Sequence, residues 1–316
     1  MINVIKNKSI AFLCDVDLPN YLDNPKRYDY LDGKHSATGY YYWILKNFGF
    51  DNISLVMPGE DLNAYDVVVF HYDNRECIDV AKKYKTIQIV TDRPQVSGVD
   101  LYVACNLSTF NPILNKELVK YVGIGLKYFL HGKWAYIHYP MALNYVVCKA
   151  SWPPKIFHYS GRESTLIDEI YSHSFVNHMK DKGVNMRFDF VNDHNTGDED
   201  VYFCVRKKTN YYSSTCKGNN VDTKLGQKTA NRLYQSWKMG TPLISSGANA
   251  MAAIYKSEYD FLIADTIEQF EYQSLRLLHN KDLFDAMIAN GNIRKEEHTN
   301  NQIVKQFSEA FEILFK

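Results

Sequence analysis

The sequence predicts an α/β protein of two successive domains, 1–150 and 151–316, each a mostly parallel sheet covered by helices. Three observations carry this. The chain has 316 residues, too many for one compact α/β domain and suited to two of about 150. Strand-length apolar runs alternate with segments of helical spacing, the pattern of parallel strands joined by crossover helices. The pattern stops at Pro153-Pro154, where a Pro pair can continue neither element, and then restarts.

In the first half, 9–14 (Ser-Ile-Ala-Phe-Leu-Cys) reads as a buried strand, followed by a polar loop through Ser36. Tyr41, Ile44, Leu45 and Phe48 are helically spaced and predict a helix over 39–48. Strand-length runs follow at 53–57, 66–70, 86–90 and 100–104, with a short helix around 74–84. In the second half, 155–159 is a strand, Ser160-Gly161-Arg162 a turn, and a helix runs through about residue 182. Strands at 186–190 and 201–205 lead into the polar segment 207–227, with Lys207, Lys208, Lys217 and Lys224. That segment is expected to be a loop that closes over a bound ligand. A helix at 228–239, strands at 242–245 and 260–264, and two C-terminal helices complete the unit. Open parallel sheets bind ligands beyond the carboxyl ends of their strands, so residues directly after strands are the functional candidates.

Charge excludes one class of partner. Lys plus Arg and Asp plus Glu are 36 each, whereas a nucleic-acid binder declares itself by a strongly basic balance. Any anion site is therefore local. The amino terminus lacks a signal-peptide pattern, and no apolar run reaches the roughly 18 residues of a membrane span. A cytoplasmic location is expected, with contact at a membrane surface left open. The six cysteines contain no Cys-x-x-Cys pair, which points to reduced thiols rather than a disulfide framework or zinc site.

The most informative segment runs from Lys228 through Thr229, Asn231, Arg232 and Gly240 to Ser246 and Gly247. At about 100° per residue, Ala230, Leu233, Tyr234 and Trp237 share one helix face, and Lys228, Asn231, Arg232 and Gln235 the other. Gly240 stands where a C-cap glycine belongs. A helix start with cationic side chains suits a pyrophosphate, because free N–H groups and the macrodipole also favour an anion there. The alternative reading is a solvated face of an ordinary amphipathic helix. Arg206 directly follows a strand, and its planar fork suits phosphate oxygens. Gly161 would let a phosphate or sugar approach the backbone, with Arg162 beside it.

Residues from about 155 to 310 resemble the donor-binding half of GT-B glycosyltransferases. The likeness rests on Cys204-Val205-Arg206, on Lys228-Thr229-Ala230-Asn231-Arg232-Leu233, and on Ser236-Trp237-Lys238-Met239-Gly240-Thr241-Pro242. These match Cys-Val-Arg, Lys-Pro-Ala-Thr-Lys-Leu and Ala-Trp-x-Ala-Gly-x-Pro in a group of bacterial glycosyltransferase-like proteins. Ala250-Met251, Tyr259-Asp260 and Asn290-Gly291 continue it; in the first half it is weaker, at 39–46 and Thr91-Asp92-Arg93-Pro94. The resemblance implies two Rossmann-like domains facing across a cleft, acceptor side first and donor side second, the last helix packing back onto the first. It implies transfer of a sugar from a nucleotide-diphosphate-sugar to a hydroxyl of a glycan or glycoconjugate. The nucleotide sugar is co-substrate, with no further cofactor and no metal. Donor contacts would come from Gly161, Arg162, Arg206, Lys228, Thr229, Asn231, Arg232, Ser246 and Gly247.

Two departures stand out. Many retaining members carry a Glu-x7-Glu pair, and the matching positions here are Gln227 and Gln235. The segment between Arg206 and Lys228 is also longer than in the similar proteins. For a base that activates the acceptor, His35, Asp73 and Asp92 lie on loops expected after strands, and no motif selects among them. Asp15-Val16-Asp17 spells a metal-binding Asp-x-Asp but lies away from the donor half. A nucleotide-sugar epimerase of the same architecture and a non-catalytic sugar- or nucleotide-binding module remain as alternatives.

Overall fold

The computed structural model describes residues 8–14, 33–71, 77–90, 98–105, 133–138, 146–161, 163, 166–190, 196–206, 230–246, 251 and 254–316. They form two compact units: one of the described residues up to 138 together with His298–Lys316, the other of those from 146 to Glu297.

The first unit is a six-stranded sheet of β1 (Ile10–Leu13), β2 (Ile53–Val56), β3 (Val67–His71), β4 (Thr86–Val90), β5 (Leu101–Ala104) and β6 (Lys133–Tyr136). Its order is β2-β1-β3-β4-β5-β6 and every pairing is parallel. Ile10 sits opposite Ile53 on one side and Val67 on the other. β1, β3, β4 and β5 are buried at every residue, as strands of a sheet covered on both faces must be. β6 was not anticipated. Its Lys-Trp-Ala-Tyr is an edge strand with one exposed and two half-buried residues, so no apolar run marks it. Helix α1 (Gly33–Asn47) follows β1 and buries Tyr41, Ile44 and Leu45; α2 (Cys77–Lys83) lies between β3 and β4. α1 starts well before residue 39, so His35 lies in its first turn rather than on a loop. The first turn of a helix is polar and contributes nothing to the apolar stripe, which is why the stripe begins later than the helix.

The second unit is a five-stranded parallel sheet of β7 (Ile156–Ser160), β8 (Asn185–Asp189), β9 (Val201–Cys204), β10 (Leu243–Ser245) and β11 (Leu262–Ile263). The order is β11-β10-β9-β7-β8. Its helices are α3 (His173–Asp181), α4 (Asn231–Met239), α5 (Ile267–His279) and α6 (Lys281–Arg294). The helix expected to run through residue 182 is divided. A 3-10 turn, Asp168–Tyr171, precedes Ser172, whose Oγ accepts from Phe175 N–H and starts α3. Thr266 and Asn280 cap α5 and α6 in the same way, each cap contributing about 1 kcal/mol. Gly240 ends α4 at φ +75°, its N–H donating to Ser236 O at 2.9 Å. The segment before β7 is stitched into this unit. Cys148 N–H donates to Met239 O at 2.7 Å, and buried Asp200 accepts from the N–H groups of Ser151, Lys155 and Ile156.

A third C-terminal helix, α7 (Asn300–Phe315), follows a 3-10 turn at Lys295–His298. It packs on α1, β5 and β6 of the first unit. Phe307 is fully buried there, edge-on to Tyr41 at 4.9 Å and 6.4 Å from Phe12. Gln306 Oε1 accepts from His138 N–H at 2.8 Å, and Lys133 Nζ donates to Ile313 O at 2.9 Å. Among the described residues no helix is long and apolar enough to cross a membrane. Cys14, Cys105, Cys148 and Cys204 are buried and are not in disulfides.

Candidate functional site

In the second unit β8 flanks β7 on one side and β9 on the other, so the strand order reverses between β7 and β9. Such a reversal opens a crevice beyond the carboxyl ends of the two strands. Gly161 directly follows β7, Arg206 lies two residues beyond β9, and Ser246 directly follows β10. α4 leads into β10, parallel to β9. A crossover helix runs back against its strands, so its first residues, Asn231 and Arg232, stand at the same edge.

Gly161 has φ +136°, and a Cβ placed there would lie 2.6 Å from Arg232 Nη2 and 2.8 Å from Tyr159 OH. Only glycine fits both the backbone and the space. Arg232 Nη1 donates to Tyr202 OH and, at 3.0 Å, to Gln235 Oε1. Tyr202 is fully buried, and its hydroxyl shares a 3.0 Å hydrogen bond with Ser160 Oγ. The polar stripe of α4 is therefore not a solvated face. Residues 233–237 are all buried, and the polar side chains of Gln235 and Ser236 bond to Arg232 and to Leu233 O inside the protein. Gln235 spends its Oε1 on Arg232. Lys238 is half-buried, and burial pushes its ammonium pKa down to about 8.

The start of α4 carries two features that suit a ligand. Its N-cap, Ala230, supplies no side-chain hydrogen bond, so the residue at the cap position leaves the positive helix end to other partners. Asn231 Oδ1 is buried and makes no hydrogen bond among the described residues, a costly state for a polar atom. Across the crevice, Arg206 N–H donates to Ser246 Oγ at 2.7 Å, and Arg206 Nε to Cys204 Sγ at 3.2 Å. Leu166 bridges Arg206 antiparallel, and Ile167 N–H donates to Val205 O at 3.2 Å. The backbone of Arg206 is thus tied on two sides. Two guanidinium groups and a helix start that no described side chain caps are features that suit an anion, while Gly161 leaves room for Arg232 Nη2.

Within the same sheet, His158 on β7 is buried and its Nδ1 lies 3.4 Å from Glu199 Oε1. Burial pulls its imidazole down to about 4 against the opposing pull of the Glu199 carboxylate. Glu199 is itself fully buried. Burial works against its ionisation, yet hydrogen bonds from Thr196 N–H, Gly197 N–H and the Cys148 thiol hold its pKa below the ordinary value. These are core polar groups. His71 in β3 is likewise buried.

Of the sequence-predicted site residues, Gly161 and Arg232 are brought together, as are Arg206 and Ser246, with Asn231 beside Arg232. Arg162, Lys228, Thr229, Gly247, Asp73 and Asp92 lie outside the described residues, as do the segment 207–227, Asp15, Asp17 and Gln227. His35 is described only as part of α1. Sequence reasoning missed Ser160, Tyr202 and the inward role of Gln235. A tyrosine in a run otherwise as apolar as Val-Tyr-Phe-Cys was the available signal, since a buried phenol needs a partner.

No family model and no curated protein matches the chain. Solved structures do. HepE of Anabaena in complex with UDP-glucose is 9% identical, with 96% of this chain and 99% of that chain covered and a TM-score of 0.52. The GtfA/B complex is 11% identical at TM-score 0.51, covering 89% of this chain and 61% of that one. A TarM variant of S. aureus, in complex with fondaparinux, alpha-GlcNAc-glycerol and UDP, is 9% identical at TM-score 0.51, covering 77% and 55%. The chain thus spans nearly all of HepE but less than two thirds of the other two. These proteins are GT-B-type glycosyltransferases. At such identities the likeness is one of fold, and the mixed α/β architecture with parallel sheets is the GT-B fold.

Proposed function

We propose that the protein is a glycosyltransferase that moves a sugar from a nucleotide-diphosphate-sugar to a hydroxyl of a glycan or glycoconjugate. The observation that carries this is that Gly161, Arg206 and the start of α4 with Arg232 all lie at the carboxyl-end edge of the second unit's sheet, where its strand order reverses. HepE and the TarM variant, of similar fold, were crystallised with UDP-glucose and UDP respectively, which supports a nucleotide-sugar donor in general.

In the proposed reaction the acceptor oxygen attacks the anomeric carbon, and the bond from that carbon to the diphosphate oxygen breaks. Negative charge develops on the leaving diphosphate. Arg206 and Arg232, the start of α4, and Lys228 and Arg162 from the sequence motif are assigned to stabilise it, usually the largest catalytic term. Thr229, Ser246 and Gly247 complete the donor contacts, and the Asn231 carboxamide is assigned to a hydroxyl of the donor. The base that takes the acceptor proton is drawn from His35, Asp73 and Asp92 of the first unit. Basic groups rather than a metal neutralise the leaving group, so activity should survive EDTA. The nucleotide sugar is the only co-substrate.

The test is incubation with nucleotide sugars, with and without a panel of glycoside acceptors. Acceptor-dependent release of nucleoside diphosphate supports the proposal. An epimerised sugar formed without acceptor would favour the epimerase, and binding without turnover a non-catalytic module.

A further inference from the structure

The Tyr202 hydroxyl joins Arg232 to the strand end before Gly161. Tyr202 is fully buried on β9. Its OH accepts from Arg232 Nη1, shares a 3.0 Å hydrogen bond with Ser160 Oγ, and lies 3.5 Å from Ser160 O. Arginine has only donors, so the tyrosine oxygen accepts from the guanidinium, while either hydroxyl can donate in the bond between Tyr202 and Ser160. The Tyr202 hydroxyl thus links Arg232 to Ser160. Ser160 is itself buried and immediately precedes Gly161.

An arginine at the start of a helix has long, flexible reach, and fixing it costs rotamer entropy. Here Nη1 is pinned by two acceptors, Tyr202 OH and Gln235 Oε1. Because the guanidinium is planar, pinning one nitrogen sets the direction of the others. Nη2 then lies over Gly161, so close that a methyl group there would overlap it. We infer that Tyr202 is a positioning residue for anion recognition. It holds Arg232 so that Nη2 meets an oxygen of the donor diphosphate above Gly161, and Ser160 orients the tyrosine hydroxyl. The inference rests on the donor-site assignment under Proposed function.

The experiment is a thermodynamic cycle on the full chain. Binding of UDP, inorganic pyrophosphate and uridine is titrated calorimetrically to wild type, Tyr202→Phe, Arg232→Ala and the double variant. Arg232→Ala should weaken UDP and pyrophosphate about ten- to hundredfold, the range of a charge-assisted hydrogen bond. Tyr202→Phe should weaken both about five- to tenfold, leave uridine affinity unchanged, and add nothing once Arg232 is alanine. A general loosening of the unit would instead weaken uridine too and persist in the double variant, which would overturn the inference. Wild-type affinity in Tyr202→Phe, with Arg232→Ala weakened, would overturn it while leaving the donor site in place. Wild-type affinity in Arg232→Ala would overturn it as well. Absence of UDP and pyrophosphate binding by wild type would remove the donor-site reading itself. If Tyr202→Phe does not fold, Ser160→Ala breaks the same link one step further back and replaces it in the cycle. The same loss of diphosphate affinity is then expected, and wild-type affinity would overturn the inference.

Discussion

Gly161→Ala perturbs the site at its tightest point. The backbone at φ +136° is one that L side chains rarely adopt, a strain of about 1–3 kcal/mol. The added Cβ would meet Arg232 Nη2 at 2.6 Å and Tyr159 OH at 2.8 Å. Of the two, the guanidinium gives more easily, and moving it breaks the hydrogen bond to Tyr202, worth about 1.5–3 kcal/mol for a charged group. The displaced guanidinium regains water, so the two costs add only in part and about 2–4 kcal/mol is expected. For a unit of about 150 residues each kcal/mol lowers Tm by about 2–4 °C, giving a fall of about 5–15 °C. Calorimetric melting measures it, with UDP titration alongside. Gly240→Ala is the control: φ is +75°, nothing lies within 4 Å of the new Cβ, and only the backbone penalty of about 1 kcal/mol applies. UDP affinity should fall in Gly161→Ala and hold in Gly240→Ala. Equal melting of the two variants, with unchanged UDP affinity in both, would refute the reasoning.

Three further outcomes are expected. The folded His158 imidazole titrates near 4 against an ordinary 6.5; in that window the unfolded chain binds a proton that the native state refuses. Stability therefore rises with pH across the window and is lost on acidification through it, by about 3 kcal/mol at most. Urea denaturation at both ends should show a drop that His158→Asn removes, and an equal drop in the variant counts against the assignment. Phe307→Ala empties a fully buried site between Phe12 and Tyr41 and should cost the first unit about 3–5 kcal/mol; a loss well under 1 kcal/mol would make α7 an appendage. Lys228→Ala should weaken UDP about ten- to hundredfold, the worth of one charge-assisted hydrogen bond, whereas Lys281→Ala, a side chain 56% exposed, should change nothing; equal affinity in both variants would remove Lys228 from the site.

The parallel sheets were legible wherever strands are buried on both faces, because Ile-Ala-Phe-Leu and Val-Val-Val-Phe leave no other reading. β6 was not, since an edge strand need not be apolar. The division of the helix at Ser172 was available as a cap signal that helical periodicity overrode. In the site, Gly161, Arg206 and Ser246 could be placed because they follow strands, and Arg232 because a motif places it at the start of a helix. The inward turn of Arg232 and Gln235 was hidden, since polarity alone reads as exposure until partners are known. Tyr202 was hidden for the opposite reason: in a hydropathy pattern a tyrosine in a strand counts only as a large ring.

The central claim is that the second unit holds a nucleoside diphosphate beyond the carboxyl ends of β7 and β9. Its most direct test is the melting temperature of wild type and Arg206→Ala with saturating UDP, GDP, ADP and dTDP against the parent nucleosides. Ligand at 100 times its dissociation constant adds about 2.7 kcal/mol, or about 5–10 °C for a unit of this size. At least one diphosphate should raise the wild-type Tm by that amount, with a much smaller rise in Arg206→Ala at the same concentration. No rise with any diphosphate, or an equal rise in both proteins, would contradict the account.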